Sequence, residues 1–162
     1  MHTARRLADT PARIIVVDDH EPWRRQVCSL LLKGREWTVV GEGSDGLEAV
    51  QQADELKPDL ILLDVELPTV NGIEAARRIL SMNPQARVLF VSAHSSRDIA
   101  DAALSAGARG YVLKADAGHE LLPAMEAVLA DRPYISSVLG SVERHDANPG
   151  VNGSPTRRFR LD

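Results

Sequence analysis

Short apolar runs alternate with longer amphipathic stretches along most of this chain. Four of the runs stop at a polar residue: IIVV at Asp18, LILL at Asp64, VLFV at Ser92 and GYVL at Lys114. Continuous runs of Val, Ile and Leu are typical of parallel strands that are buried on both faces of a sheet. The pattern therefore predicts four strands, each followed directly by a side chain capable of chemistry.

A fifth run and a set of helical stretches complete the pattern. WTVVGEG predicts another strand, and the apolar residues Trp23, Val27, Leu30 and Leu31 recur at helical spacing before Gly34. Four more helical stretches follow the other runs: LEAVQQA, IEAARRIL, RDIADAALSAG and HELLPAMEAVLA. Five strand-helix pairs with short links predict a doubly wound α/β fold around a five-stranded parallel sheet.

The same pattern sets the predicted domain boundaries. We expect a flexible N-terminal extension at 1–12, one domain at 13–133, and a linker or tail at 134–162. The last stretch is rich in Gly, Pro, Asn and Ser and has few apolar residues with which to pack. A chain of 162 residues fits one domain with tails.

Composition narrows the class of protein. The net charge of −4 gives no general attraction for nucleic acid or for an anionic membrane. The single cysteine, Cys28, excludes an internal disulfide framework, and no apolar run approaches the length of a membrane span. We therefore expect a cytoplasmic protein that makes no contact with membranes.

The polar residues at the strand ends predict one shared site. The carboxyl ends of parallel strands meet at one edge of a sheet, so Asp18, Asp19, Asp64, Ser92 and Lys114 are expected to converge. Carboxylates placed together repel one another unless a cation lies among them. Hard oxygen ligands without a His or Cys cluster favour Mg²⁺ over zinc, with substrate phosphate commonly completing such sites.

Each of three side chains has a distinct expected task at this site. The Asp64 carboxylate follows the most apolar run and can attack phosphorus, which would form an aspartyl phosphate. Lys114 can compensate the negative charge of the phosphoryl group. The Ser92 hydroxyl can bind a phosphoryl oxygen and so favour the phosphorylated state, with movement of its loop.

Four motifs together resemble the receiver domain of two-component response regulators: DD, LLDVELPTVNG, VSA and AGARGYVLK. The match covers roughly 13–130, and the motifs are specific in combination although each is weak alone. The segments AGARGYVLK and, later in the chain, RPYIS are most similar to those of receivers in the NarL/FixJ class. The resemblance implies a flavodoxin-like or CheY-like (βα)5 fold with strand order 2-1-3-4-5.

The resemblance also implies roles for the site residues. Asp64 would be the phosphoacceptor for a sensor histidine kinase. Asp19, Asp64 and the backbone carbonyl of Glu66 would hold Mg²⁺, and Asp18 would act through water. Such a domain is not an enzyme in the usual sense, because it promotes only its own phosphorylation and dephosphorylation.

Further expected roles concern the response to phosphorylation. Lys114, Ser92 and Ala93 would contact the phosphoryl group. Tyr111 matches the aromatic switch position, which turns inward when Ser92 is drawn toward phosphate. The resemblance also allows a homodimer on phosphorylation.

The output of the domain is left open between two forms. Receivers of the NarL/FixJ class usually precede a LuxR-type helix-turn-helix domain. The resemblance therefore implies control of transcription, with DNA contacted only through that output domain, which is missing from this chain. The alternative is a single-domain, CheY-like regulator that acts by docking to other proteins.

Two further classes of function compete with the receiver. A small phosphohydrolase with an aspartate nucleophile, or a nucleotide hydrolase, would also use these residue types. However, the chain has no G-x-x-x-x-G-K-[ST] motif, and its first strand ends in DDH rather than in Asp-x-Asp. A purely structural interaction module is disfavoured because every acidic position of the receiver motifs is retained, together with Lys114.

Overall fold

The computed structural model describes residues 10–139 and forms an α/β sandwich over that range. The strands are β1 (Ala12–Val17), β2 (Trp37–Gly43), β3 (Leu60–Leu63), β4 (Val88–Ser92), β5 (Gly110–Leu113) and β6 (Tyr134–Ile135). The helices are α1 (Glu21–Leu32), α2 (Gly46–Leu56), α3 (Gly72–Met82), α4 (Arg97–Ser105) and α5 (Ala117–Leu129). A 3₁₀ turn at Lys114–Asp116 links β5 to α5.

All pairings in the sheet are parallel, and the strand order is β2-β1-β3-β4-β5-β6. The predicted doubly wound fold and the order 2-1-3-4-5 are thereby confirmed. The expectation of five strands is corrected to six, because the short β6 extends the sheet beyond β5.

Successive side chains of the central strands pack alternately into two separate hydrophobic cores, one on each face of the sheet. Ile15, Ile61 and Phe90 pack on the side that carries α2, α3 and α4. Ile14 and Leu62 pack on the opposite side, against α1 and α5. Because each central strand is covered on both faces, its sequence is a continuous apolar run rather than an alternating one.

Side-chain caps explain where three of the helices begin. The carboxylate of Asp45 and the amide oxygen of Asn71 accept hydrogen bonds from backbone N–H groups three residues later, at 2.8 and 2.9 Å. The Ser96 hydroxyl accepts a corresponding bond at the start of α4, at 3.4 Å. Each cap satisfies a donor that the first helical turn leaves without a partner.

The segment after α5 packs onto the domain beyond the predicted boundary at 133. Tyr134 N–H donates to the Arg109 carbonyl at 3.1 Å, and Ser136 N–H donates to the Tyr111 carbonyl at 2.9 Å. Leu139 is 3% exposed and belongs to the core beside α4. A sheet edge binds a strand mainly through backbone hydrogen bonds, so this segment needs no apolar run to pack. The predicted tail beyond 139 and most of the extension at 1–12 lie outside the described residues.

Replacing Ser136 by alanine should destabilise the domain. The Ser136 hydroxyl is fully buried and accepts a hydrogen bond from Leu113 N–H at 2.9 Å. Without it, a buried N–H loses its partner, which costs about 1–3 kcal/mol of unfolding free energy. Urea unfolding measures this loss, with Ser81→Ala on the exposed surface as the matched control. Equal unfolding free energies for the two variants would contradict the expected role of Ser136.

No helix within 10–139 is long and apolar enough to cross a membrane.

Candidate functional site

The polar residues that follow β1, β3 and β5 meet at one edge of the sheet. Because these strands are parallel and close together, their carboxyl ends bring Asp18, Asp64 and Lys114 side by side. Asp18, Asp19 and Asp64 each offer a carboxylate oxygen, and these atoms lie within 4.8 Å of one another. The structure thus brings together four of the residues that the sequence assigned to one site.

Burial differs sharply within this carboxylate cluster, defined as Asp18, Asp19 and Asp64. Asp18 and Asp64 are 3% and 7% exposed, whereas Asp19 is open to solvent. Lys114 Nζ lies 2.8 Å from Asp18 Oδ2 and 3.3 Å from Asp64 Oδ2. One ammonium group therefore lies between two buried carboxylates.

Asp18 is fixed in place from both its side chain and its backbone. His20 N–H donates to Asp18 Oδ1 at 2.9 Å. Arg24 Nη1 donates to the Asp18 carbonyl at 2.7 Å. The start of α1 is thus hydrogen-bonded to the end of β1, which orients one wall of the cluster.

A glycine allows α3 to begin directly against the backbone that carries Asp64. Gly72 N–H donates to the Val65 carbonyl at 2.7 Å. A Cβ atom at Gly72 would overlap the carbonyl oxygen of Asp64. The Asn-Gly pair in the sequence therefore does more than form a loop, because it lets α3 begin against the backbone of Asp64.

The electrostatics of Asp64 suit a bound cation. Burial raises the pKa of its carboxyl from 3.8 to about 6, the charge of Asp18 adds to this, and Lys114 opposes it. A site with three carboxylates and one ammonium group keeps excess negative charge at neutral pH. Oxygen ligands within 4.8 Å of one another match the preference of a small hard divalent ion, so the donor set fits such an ion.

The raised pKa of Asp64 predicts a pH-dependent stability in the absence of metal. Between about pH 4 and pH 6 the folded carboxyl keeps a proton that the unfolded one has released, so stability falls as the pH rises. Above that window the penalty is complete, at most about 3 kcal/mol. Asp64→Asn should remove it, so with a chelator the variant is more stable than the native chain at about pH 8.

Urea unfolding at several pH values measures that difference. The advantage of Asp64→Asn should shrink as the pH falls toward about 4, because the native carboxyl is then protonated in the folded state and close to half protonated in the unfolded state. An advantage that is independent of pH would contradict the electrostatic explanation.

Ser92 and Tyr111 are connected through the loop that follows β4. Ser92 is fully buried, and its hydroxyl accepts a hydrogen bond from His94 N–H at 3.1 Å. The Tyr111 hydroxyl donates to the His94 carbonyl at 2.9 Å, and its ring is fully buried. Burial raises the pKa of the Tyr111 phenol, hydrogen bonding with Ser92 opposes this, and the charge of Asp64 adds to it. Movement of this loop would therefore disturb Tyr111.

The loops after β3 and β4 also contact each other near the carboxylate cluster, through the side chains of Glu66 and His94. His94 Nε2 lies 3.0 Å from Glu66 Oε2. An open cleft of about 750 Å³ begins here and extends between α3 and α4, with Asp19, Ile73 and Ile99 among its lining residues. Ala93 is exposed in the same loop. The roles predicted for Ala93 and for the Glu66 carbonyl stay predictions.

One neighbour of the cluster lies outside the residues that the sequence assigns to the site. The helical spacing predicts that Trp23 is a packing residue of α1, but its ring lies beside the ammonium of Lys114, with Nζ 5.4 Å from the ring centroid. The sequence places Trp23 early in the helix after the first strand end, which was the available signal. The sequence alone gives no reason to pair Trp23 with Lys114, which lies in the turn that follows β5.

Comparisons with known proteins agree with this fold and show the family to which the chain belongs. Residues 14–126 match the response regulator receiver domain family. The chain is 38% identical over 144 residues to the transcriptional activator protein ExaE of Pseudomonas putida, covering 89% of this chain and 67% of ExaE. It is 35% identical over 132 residues to the nitrate/nitrite response regulator protein NarL of Escherichia coli K12, covering 82% of this chain and 61% of NarL.

A crystal structure shows the same likeness in three dimensions. A two-component response regulator of the LuxR family from Aurantimonas superposes with a TM-score of 0.82 at 36% identity, covering 85% of this chain and 99% of that one. Fold and site together define a receiver of two-component signalling. The chain belongs to the response regulator receiver domain family.

Proposed function

We propose that this receiver accepts a phosphoryl group on Asp64 from a sensor histidine kinase, in a reaction that depends on Mg²⁺. The observation that carries the proposal is the carboxylate cluster, with Lys114 Nζ within 3.3 Å of both buried carboxylates. Response regulators of two-component systems are the substrates of such kinases, and this chain has their receiver domain.

The proposed metal ligands come from two strand ends and one loop. Asp19, Asp64 and the backbone carbonyl of Glu66 would hold Mg²⁺, with Asp18 acting through water. When bound, the ion would offset the combined charge of the carboxylates and the phosphoryl group. The raised pKa of Asp64 supports this assignment, because the carboxylate form at neutral pH gains from a nearby cation.

The proposed transfer is an in-line displacement at phosphorus. A carboxylate oxygen of Asp64 forms the new P–O bond while the P–N bond to the donor imidazole breaks, and the imidazole nitrogen keeps the electron pair and takes up a proton. Lys114 compensates charge on the transferred group, and Ser92 with Ala93 contacts its oxygens. The open cleft beside Asp19 leaves room for a donor to approach the cluster.

We propose that the switch runs through the loop after β4. Ser92 and Tyr111 both hydrogen-bond to the backbone of His94, so a shift of Ser92 toward a phosphoryl oxygen would alter the contact of Tyr111. The output proposed for this switch is control of transcription through a LuxR-type helix-turn-helix domain. Its support is the likeness to ExaE, whose name describes a transcriptional activator, and to a LuxR-family regulator.

Partner contacts follow from the same proposal. DNA would be contacted only through the output domain, and phosphorylation would favour a homodimer. A single-domain regulator that docks to proteins is the alternative form. The cytoplasmic location stays a prediction.

Mass spectrometry of the intact protein tests the proposed phosphoryl transfer. Incubation with acetyl phosphate and Mg²⁺ should add one phosphoryl group to the chain, and a chelator should prevent the addition. An unchanged mass under conditions that label an established receiver would contradict the proposal. Repeated turnover of a phosphate ester, without a labelled protein, would favour the phosphohydrolase instead.

A further inference from the structure

The ammonium of Lys114 has an aromatic neighbour in addition to its two carboxylates. Lys114 Nζ lies 2.8 Å from Asp18 Oδ2 and 5.4 Å from the centroid of the Trp23 ring. The Lys114 side chain is only 18% exposed. The ring thus covers a side of the ammonium that the carboxylates leave open.

The local structure holds the Trp23 ring at this place. Trp23 is the third residue of α1, directly after Pro22 in the first turn. The start of this helix is anchored to Asp18, both by His20 N–H and by the Arg24 side chain. The Trp23 side chain is half-buried, and it lines the space beside Asp18 together with Asp64. Its position relative to the cluster is therefore set by the same bonds that orient Asp18.

The faces of an indole ring carry negative electrostatic potential and attract cations. This attraction is stronger where the ammonium is largely shielded from water, as it is at Lys114, whose side chain is 18% exposed. A long lysine side chain has many rotamers, so it needs contacts on several sides to stay in one of them. An aromatic face can supply such a contact without competing for the hydrogen bonds of the ammonium.

We propose that Trp23 is a positioning residue for the phosphoryl transfer. Its ring face holds the Lys114 ammonium between Asp18 and Asp64 and shields it from water. The charge that the phosphoryl group meets is thereby in place before the donor arrives, which lowers the cost of reorganisation during transfer. This inference rests on the proposed function of Asp64, and it goes beyond it by assigning a role to a residue outside the carboxylate cluster.

Fluorinated tryptophans test this role, because fluorine weakens the negative potential of the ring face with little change in ring size. The chain has two tryptophans, so Trp37→Phe leaves Trp23 as the only one to be labelled. In that background, the rate of phosphoryl uptake from acetyl phosphate should fall stepwise from native to mono-, di- and trifluorotryptophan. The matched control carries the same analogues at Trp37 in a Trp23→Phe chain, where the rate should not depend on fluorination.

Conventional variants give a second, coarser readout of the same contact. Trp23→Leu fills apolar space without an aromatic face and should slow uptake about threefold to tenfold. Trp23→Phe keeps a weaker face and should restore part of the rate. Equal rates for Leu and Phe, together with a flat fluorination series, would overturn the proposal and leave Trp23 a packing residue.

A stability measurement keeps the inference separate from the proposed function. The drop in melting temperature caused by Lys114→Met should be smaller in the Trp23→Leu chain than in the native one, because the contact is already lost. Additive shifts would overturn the role of Trp23 whether or not the protein accepts a phosphoryl group. Coupled shifts without any phosphoryl uptake would instead show that the contact exists and that the proposed function of Asp64 fails.

Discussion

Asp64→Asn should abolish phosphoryl uptake from acetyl phosphate. The amide that replaces the carboxylate is a far weaker nucleophile toward phosphorus, and the site also loses one of its clustered oxygen anions. The expected result is complete loss of the added mass that the native chain shows in the presence of Mg²⁺. Intact-mass spectrometry over a time course measures this loss directly.

The matched control for this variant is Asp54→Asn in α2. The Asp54 side chain is 61% exposed and pairs with Lys57 at the surface, so labelling should continue at the native rate. Loss of folding does not explain the loss of labelling, because Asp64→Asn is expected to stabilise the metal-free chain at neutral pH. Native labelling of Asp64→Asn would exclude Asp64 as the acceptor.

Lys114→Met should strongly destabilise the metal-free domain. The substitution keeps much of the side-chain volume but leaves Asp18 and Asp64, which are 3% and 7% exposed, without their shared cation. Removing one partner from a buried ionic group costs about 3–5 kcal/mol, because the remaining charge stays buried without compensation. Urea unfolding with a chelator present measures the loss, and it should become smaller at acidic pH as Asp64 takes up a proton.

The control for Lys114→Met is the same substitution at Lys57. Lys57 Nζ lies 3.5 Å from Asp54 Oδ1 at the surface, and such exposed pairs contribute less than about 1 kcal/mol. Addition of Mg²⁺ should recover part of the stability lost in Lys114→Met, because a cation would again lie among the carboxylates. Equal losses for the two variants would show that Lys114 does not compensate buried charge.

The central part of the fold could be predicted because its sequence has little freedom. Strands buried on both faces must be apolar throughout, so β1, β3 and β4 stand out as continuous runs. Parallel strands place their carboxyl ends at one edge, so the polar residues that follow the runs were expected to meet. The convergence of Asp18, Asp64 and Lys114 follows from these two facts.

The end of the domain was harder to predict because its packing depends on few side chains. β6 is held by backbone hydrogen bonds to β5. Backbone groups are the same in every residue type, so this pairing produces no pattern of apolar residues in the sequence. Gly110 contributes in a way that only the fold reveals, because a Cβ atom there would press against the Tyr134 carbonyl. α5 likewise begins at Ala117, two residues before the predicted stretch HELLPAMEAVLA, so Pro123 lies inside the helix.

Contacts between side chains from distant elements could not be predicted from the sequence either. The strand ends fix which backbones meet, but rotamers decide which side chains touch. The pair of His94 and Glu66, and the ring of Trp23 beside Lys114, each join segments far apart in the chain. Periodicity carries no signal for either contact.

The most direct measurement locates the phosphoryl group on the chain. Borohydride reduces an acyl phosphate of aspartate to homoserine, which tandem mass spectrometry can assign to one residue. After incubation with acetyl phosphate and Mg²⁺, we expect homoserine at position 64, and none there when the donor or Mg²⁺ is withheld. Homoserine at Asp18 or Asp19 instead, or a phosphoryl group that resists borohydride on another type of residue, would contradict the account.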